Sequence, residues 1–236
     1  YLIGGVATQS YLPTSCRRPT SDIDFSIVRD LTRYEDFKQM IGIMVEYLQD
    51  IGYSVETKKH SRAYSLNITD KKTLDSLALE FARRNEQNFQ KNKSRLQREL
   101  DNVNNKIIEG RDSTYRVAST EDIVVPKLVR SIGSLIRNPR FLRYLPESIM
   151  PLSDEKIAKY LSKIGDLREE AMINIADPEL AEKLRFISDL YDVRILSEIA
   201  GVNENYLRIV ESEWDVINGK SEQRNKLVRA LLPKFH

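Results

Sequence analysis

The chain has almost no sulfur chemistry to offer. Its 236 residues include one cysteine, Cys16, so no internal disulfide can form and the composition suits a reducing cytoplasm. No histidine or aspartate constellation surrounds Cys16 in the sequence, which argues against a thiol nucleophile. Histidine is scarce too: His60 and His236 are the two, and neither has partners at metal-ligand spacing. Excess charge is missing as well. With 37 basic against 35 acidic residues the net charge is +2, so bulk charge does not demand a nucleic-acid partner. No apolar run approaches the roughly 20 residues of a membrane span, and no signal peptide is visible. The expectation is a cytoplasmic protein without a membrane partner. There is no internal repeat and no low-complexity segment.

What is present is an ordinary globular composition, 41% apolar and 31% charged, long enough for one large domain or two small ones. Residues 34–50 read as an amphipathic helix, with Phe37, Met40, Ile41, Met44 and Leu48 at three- and four-residue spacing and Gly52 as its stop. Strand-like runs cover residues 22–28, 53–57, 63–68 and 74–82, which predicts a sheet of four or five strands with a helix across one face. Residues 83–111 are charged and Asn/Gln-rich, a solvated helix or excursion before residues 115–117 return to the sheet. After Ser119 nearly everything is helical, at residues 121–137, 153–175, 179–200, 203–214 and 223–232, broken at Pro139, Pro151, Pro178 and Gly201. Ser153 and Asp177 are candidate N-caps. The expected fold is therefore an α/β (α+β) domain with a mixed sheet over residues 1–118, followed by a helical bundle domain over residues 119–236 that closes a cleft. Because Tyr1 already lies in the strand leading to Gly4, a helix is expected ahead of it.

The richest stretch is Ile3-Gly4-Gly5-Val6-Ala7 followed by Thr20-Ser21-Asp22-Ile23-Asp24-Phe25-Ser26-Ile27. A glycine pair opens a turn whose backbone N–H groups are uncovered and can cradle phosphates. Strand side chains alternate, so Asp22 and Asp24 project from one face, roughly 7 Å apart, while Ile23, Phe25 and Ile27 face a core. Two adjacent carboxylates repel unless a cation lies between them, and the oxygen preference of Mg²⁺, or Mn²⁺, fits. Either motif alone is weak, since Asp-x-Asp is common in solvated loops. Their order, strand, Gly-Gly, helix, loop, Asp-x-Asp strand, is far more restrictive.

This run resembles the first motif of the DNA-polymerase-β-type nucleotidyltransferase superfamily, in particular its abortive-infection toxin branch (AbiEii-like, including the MenT toxins). Ala118-Ser119-Thr120-Glu121-Asp122-Ile123-Val124-Val125-Pro126-Lys127-Leu128 is similar to a second motif of that branch, and Ser188-Asp189-Leu190-Tyr191-Asp192-Val193 to a third. Two departures stand out: Pro126 precedes the motif lysine inside a helix, and Ser188 occupies a place where the family usually has a basic residue. The resemblance implies a nucleotidyltransferase fold and transfer of a nucleoside monophosphate from a nucleoside triphosphate to a hydroxyl. It also implies a toxin-like role, transfer RNA as acceptor and a cognate antitoxin as partner.

Such chemistry needs cations roughly 4 Å apart, held by three carboxylates from adjacent strands. Asp22 and Asp24 supply two, and Glu80, within Leu79-Glu80-Phe81, is the best candidate for the third. Its alternative is a solvent-facing place on a half-exposed strand; Asp70 and Asp75 are turn-like. Lys127, at the margin of an apolar stripe, either neutralises triphosphate charge or snorkels along a domain seam; Arg130, one turn on, could share the task. Asp189 and Asp192 are neighbours on one helix face. Asp189 could pair with Arg185, and Asp192 could orient Lys127 or touch the nucleotide. Gly4 and Gly5 complete the nucleotide-binding candidates. Basic residues at 17, 18, 58, 59, 62, 83, 84, 91, 93, 95 and 98 could line an RNA path or form a solvated face. Two other readings stay open: a nucleotidyltransferase acting on a small molecule, of the antibiotic-modifying type, and a catalytically silent nucleotide- or partner-binding module.

Overall fold

Side-chain alternation along the strands sorts this chain into a buried and a polar sheet face. The computed structural model describes residues 1–20, 22–31, 33–107, 113–146, 151–214 and 221–232. Ser21 of the acidic motif, residues 108–111 at the end of the charged stretch, and His236 lie outside the described residues. The chain divides into two units, Tyr1–Ser10 with Thr20–Ser119, and Tyr11–Pro19 with Thr120–His236.

The first unit contains β1 (Leu2–Ile3), α1 (Gly4–Gln9), β2 (Asp22–Phe25), α2 (Tyr34–Asp50), β3 (Tyr53–Lys59), β4 (Ala63–Asp70), β5 (Ser76–Ala82), α3 (Glu86–Asp101), β6 (Asn104–Ile107) and β7 (Thr114–Val117). The strands form one mixed sheet in the order β3-β4-β5-β2-β1-β7-β6. Pairing is parallel between β2 and β5 and between β1 and β7, and antiparallel elsewhere. Phe37 and Ile41 of α2 pack on Tyr64 and Leu66 of β4 and Leu79 and Phe81 of β5, with Ile23 and Phe25 of β2 against the same cluster. Aromatic stacking reinforces it: the Phe37 and Tyr64 ring centroids are 4.6 Å apart, and those of Phe25 and Phe81 5.0 Å. Burying this apolar face is what holds α2 on the sheet.

Several boundaries differ from expectation. Among the described residues the sheet has seven strands, not four or five. β7 returns to the sheet as expected and pairs with β1, while β6, hidden in the polar run Asn-Asn-Lys, was not anticipated. The charged stretch after Arg83 forms α3, capped by the Asn85 side chain, which accepts from the Asn88 N–H. β5 starts at Ser76 because Leu74 adopts a left-handed conformation (φ 64°) in the preceding turn. The glycine pair is not an open turn: Gly4 and Gly5 begin α1, whose first turn is also braced by the Thr8 hydroxyl donating to the Gly4 carbonyl.

The second unit holds a 3-10 turn (Thr14–Cys16), α4 (Thr120–Arg137), a second 3-10 stretch (Pro139–Tyr144), α5 (Asp154–Ile173), α6 (Pro178–Ile199), α7 (Glu204–Glu213) and α8 (Ser221–Leu231). The expected caps are there, Ser153 accepting from the Lys156 N–H and Asp177 from the Glu179 and Leu180 N–H groups. α4 continues through Pro126. α6 is buried all round from Phe186 to Ser197 and packs against α4, α5 and α8, the pattern of a helix enclosed by others. Tyr191 donates its hydroxyl to the Cys16 carbonyl at 2.7 Å, tying the 3-10 turn to α6. Among the described residues, no helix is long and apolar enough to cross a membrane.

Candidate metal and nucleotide site

Because Ile23 and Phe25 face α2, Asp22 and Asp24 must face the other side of the sheet. The parallel pairing of β2 with β5 sets Asp22 beside Ala78 and Asp24 beside Glu80. Directly paired residues share a face, so Glu80 joins the two aspartates. Carboxylate oxygens of Asp22, Asp24 and Glu80, all half-buried, lie within 4.8 Å of one another. The Thr20 hydroxyl also contacts Asp22 Oδ1, at 3.3 Å.

Gly4 is shaped to this arrangement. It has a φ of +71°, and a Cβ built on it would lie 2.0 Å from Asp24 Oδ2 and 2.8 Å from its Cγ. The Asp24 carboxylate therefore lies flush on the backbone where β1 turns into α1, in space that any side chain would fill. Three hard oxygen donors converging from two adjacent strands fit Mg²⁺ or Mn²⁺, which take carboxylates at roughly 2.0–2.1 Å. The sequence expectation for Glu80 and this geometry coincide.

The other candidates gather within the second unit. Lys127 of α4 is 3% exposed; its Nζ lies 2.8 Å from Asp192 Oδ2 and 3.3 Å from Asp189 Oδ1, both on α6. Arg18 donates twice to Asp192, Nε to Oδ1 at 2.8 Å and Nη2 to Oδ2 at 2.7 Å. Arg130 grips Asp189 in the same bidentate way, and its side chain is 48% exposed. Asp189 thus pairs with Lys127 and Arg130 of α4 and not with Arg185 on its own helix. Burial alone would raise the Asp192 carboxyl, but Lys127 and Arg18 together outweigh it and hold the group below the usual carboxylate range. Asp189 and Asp192 thus bind Arg18, Lys127 and Arg130 between them. Glu121 and Asp122, the acidic members of the second motif, are buried; they accept from the Asn203 N–H and the Tyr206 hydroxyl at the start of α7.

Comparison with known proteins adds little. No protein-family profile matches the chain, and no curated protein matches it. One solved structure, an antigenic nucleotidyltransferase-like protein from Paracoccidioides brasiliensis, aligns over 97% of this chain and 83% of that one, at 12% identity and a TM-score of 0.42.

Sequence reasoning missed Arg18 as the partner of Asp192, 174 positions away; nothing in the local spacing signals it. It also grouped the basic residues too broadly. Arg84 is turned inward, donating to the Ser26 hydroxyl and the Ile27 carbonyl, and Arg95 lies beside Glu99. Arg17 donates to the Leu12 carbonyl. These arginines hold the fold together.

Proposed function

We propose that the chain is a metal-dependent nucleotidyltransferase of the polymerase-β-type superfamily, moving a nucleoside monophosphate from a nucleoside triphosphate to a hydroxyl acceptor. The observation that carries this reading is the convergence of Asp22, Asp24 and Glu80 on one sheet face, with Gly4 cut away beneath Asp24. In the proposed step the acceptor oxygen attacks the α-phosphorus, the bond to the β-phosphate oxygen breaks, pyrophosphate leaves and the hydroxyl proton passes to water. A divalent cation bound by the three carboxylates would lower the acceptor's pKa and offset phosphate charge. The chain's own part is to hold those carboxylates in register through β2 and β5 and to seat Asp24 against the bare backbone of Gly4; Gly4 and Gly5 are proposed to lie beside the phosphates on the motif resemblance. Lys127 and Arg130, held by Asp189 and Asp192, are proposed as triphosphate contacts on the motif resemblance alone. The toxin-like role, an RNA acceptor with transfer RNA foremost, and a cognate antitoxin rest on the motif resemblance.

The test is to incubate the protein with each α-labelled nucleoside triphosphate, Mg²⁺ or Mn²⁺, and total RNA. Label should move to RNA with the parent protein and not with Asp24→Asn, an isosteric change that removes one of three mutually repelling carboxylate charges; the variant's melting temperature is measured alongside to show that it is folded. Mn²⁺ binding that is equal in parent and Asp24→Asn would refute the metal assignment. Specific Mn²⁺ and triphosphate binding without transfer to any acceptor would favour the silent module.

A further inference from the structure

The face that carries the carboxylates continues from β5 onto β4 and reaches the turn after β3. Ser65 is paired with Glu80 and Ala63 with Ala82, so Ser65 and Ala63 share the face of Asp24 and Glu80. On the far side of β4, Lys59 is paired with Tyr64, which belongs to the core on the opposite face. His60 follows Lys59, and its N–H donates to the Ala63 carbonyl at 2.8 Å, so strand alternation returns its side chain to the carboxylate face. There its Nε2 lies 2.9 Å from Ser65 Oγ. Ser65 is buried and His60 is exposed, so the ring rests on a fixed hydroxyl and still meets water. Ala63 and Ala82, beside them on this face, rise no higher than a methyl group and keep the floor next to Glu80 low. The turn is braced by the Arg83 guanidinium, 3.3–3.4 Å from the His60 and Ser61 carbonyls. The charged side chains that share the face with the imidazole are Glu80, Asp24, Asp22, and Lys58 paired with Glu56 at 3.0 Å; Lys59 and Arg62 project from the other face.

We propose that His60 is the general base of the transfer, with Ser65 as its positioning residue. The inference rests on the nucleotidyltransferase reading and adds a catalytic residue to it, whatever the acceptor. Ser65 is one strand spacing, roughly 5 Å, from Glu80, so an acceptor oxygen on the β4 side of Glu80 lies between the carboxylates and the imidazole. In the step, Nε2–H donates to Ser65 Oγ, which leaves the lone pair of Nδ1 to take the acceptor's proton. The electron pair of that O–H bond stays on oxygen and forms the bond to the α-phosphorus. The bond from the α-phosphorus to the bridging oxygen breaks, and its pair leaves with pyrophosphate. The exposed imidazolium then gives its proton to water, so the hydroxyl proton reaches solvent by way of His60. Imidazole is the side chain best suited to this exchange near neutral pH. A surface histidine without such a task has no need of a buried hydroxyl and a braced turn to hold it over a carboxylate row.

Transfer of label from an α-labelled nucleoside triphosphate to total RNA, followed with the full chain from about pH 5 to about pH 9, tests this. His60→Gln keeps an N–H for Ser65 but cannot take up a proton. It should lower the turnover rate near neutral pH about a hundredfold or more, with the KM for triphosphate unchanged. The variant's rate should go on rising with pH where the parent's has levelled. Added imidazole should restore at least about a tenth of the lost rate to His60→Gly, which a merely structural role does not allow. Mn²⁺ binding, read by electron paramagnetic resonance, should be the same in the parent and both variants, which also reports that they are folded. A parent-like rate and pH profile in His60→Gln, loss of Mn²⁺ binding together with the rate, or no rescue by imidazole overturns the base while the parent's own transfer leaves the nucleotidyltransferase reading standing. A parent that moves label to no acceptor overturns that reading, and the base with it.

Discussion

Replacing Gly4 by alanine adds one methyl group at the place where the structure is least able to accept it. The new Cβ would meet Asp24 Oδ2 at 2.0 Å and Cγ at 2.8 Å, well inside van der Waals contact, and would have to be carried at φ +71°. The backbone alone costs about 1–2 kcal/mol for a residue other than glycine in that region. Relief of the overlap requires the Asp24 carboxylate to swing away by more than 1 Å or so, because ordinary contacts to a Cβ begin at 3.4 Å or beyond. A displacement of that size at a reacting site is worth about a hundredfold. Gly4→Ala should therefore lower the melting temperature by about 2–8 °C, at roughly 2–4 °C per kcal/mol for a chain of this length. It should also weaken Mn²⁺ binding by one to two orders of magnitude. The two effects are read separately, by differential scanning calorimetry and by Mn²⁺ titration of the folded protein well below the transition. A Gly4→Ala protein that binds Mn²⁺ like the parent would show that Asp24 does not hold the ion in the conformation described here.

Asp192→Asn removes a fully buried carboxylate that pairs with both Arg18 and Lys127, and should destabilise the protein by about 3 kcal/mol, the lower end for breaking a buried pair because Asp189 still partners Lys127. The same change has a signature in acid. The Asp192 carboxyl is held below its ordinary value in the folded protein, so its contribution is present above the unfolded value near pH 4 and is lost as pH falls toward the folded one. Chemical denaturation of parent and variant between pH 6 and pH 3 should show the gap between them closing toward the acid end; a constant gap would disprove the coupling. Phe37→Ala empties the centre of the stack between α2 and β4 and should cost about 3–5 kcal/mol, read as a lowered urea midpoint. A smaller cost, under 1 kcal/mol by urea titration, would mean that the aromatic stack does not hold α2 to the sheet.

The parts of the site that the sequence determined by itself are those governed by local periodicity. That Asp22 and Asp24 share a face, with Ile23 and Phe25 opposite, follows from the two-residue period of a strand; α2 and most helices of the second unit follow from apolar spacing and caps. Those rules act over a few residues, where backbone geometry leaves little choice. Glu80 was legible as a strand residue, but its place beside Asp24 depends on β2 pairing in parallel with β5, more than fifty positions away. The same holds for Arg18 on Asp192 and for Lys127 between Asp189 and Asp192. The fit of Gly4 against Asp24 depends on β1 lying antiparallel to β2, and β6 was hidden because an edge strand with polar side chains leaves no apolar alternation to read. Only the tertiary structure decided these contacts, because register and long-range ion pairing are set by how whole faces pack, and the same local pattern is compatible with many partners.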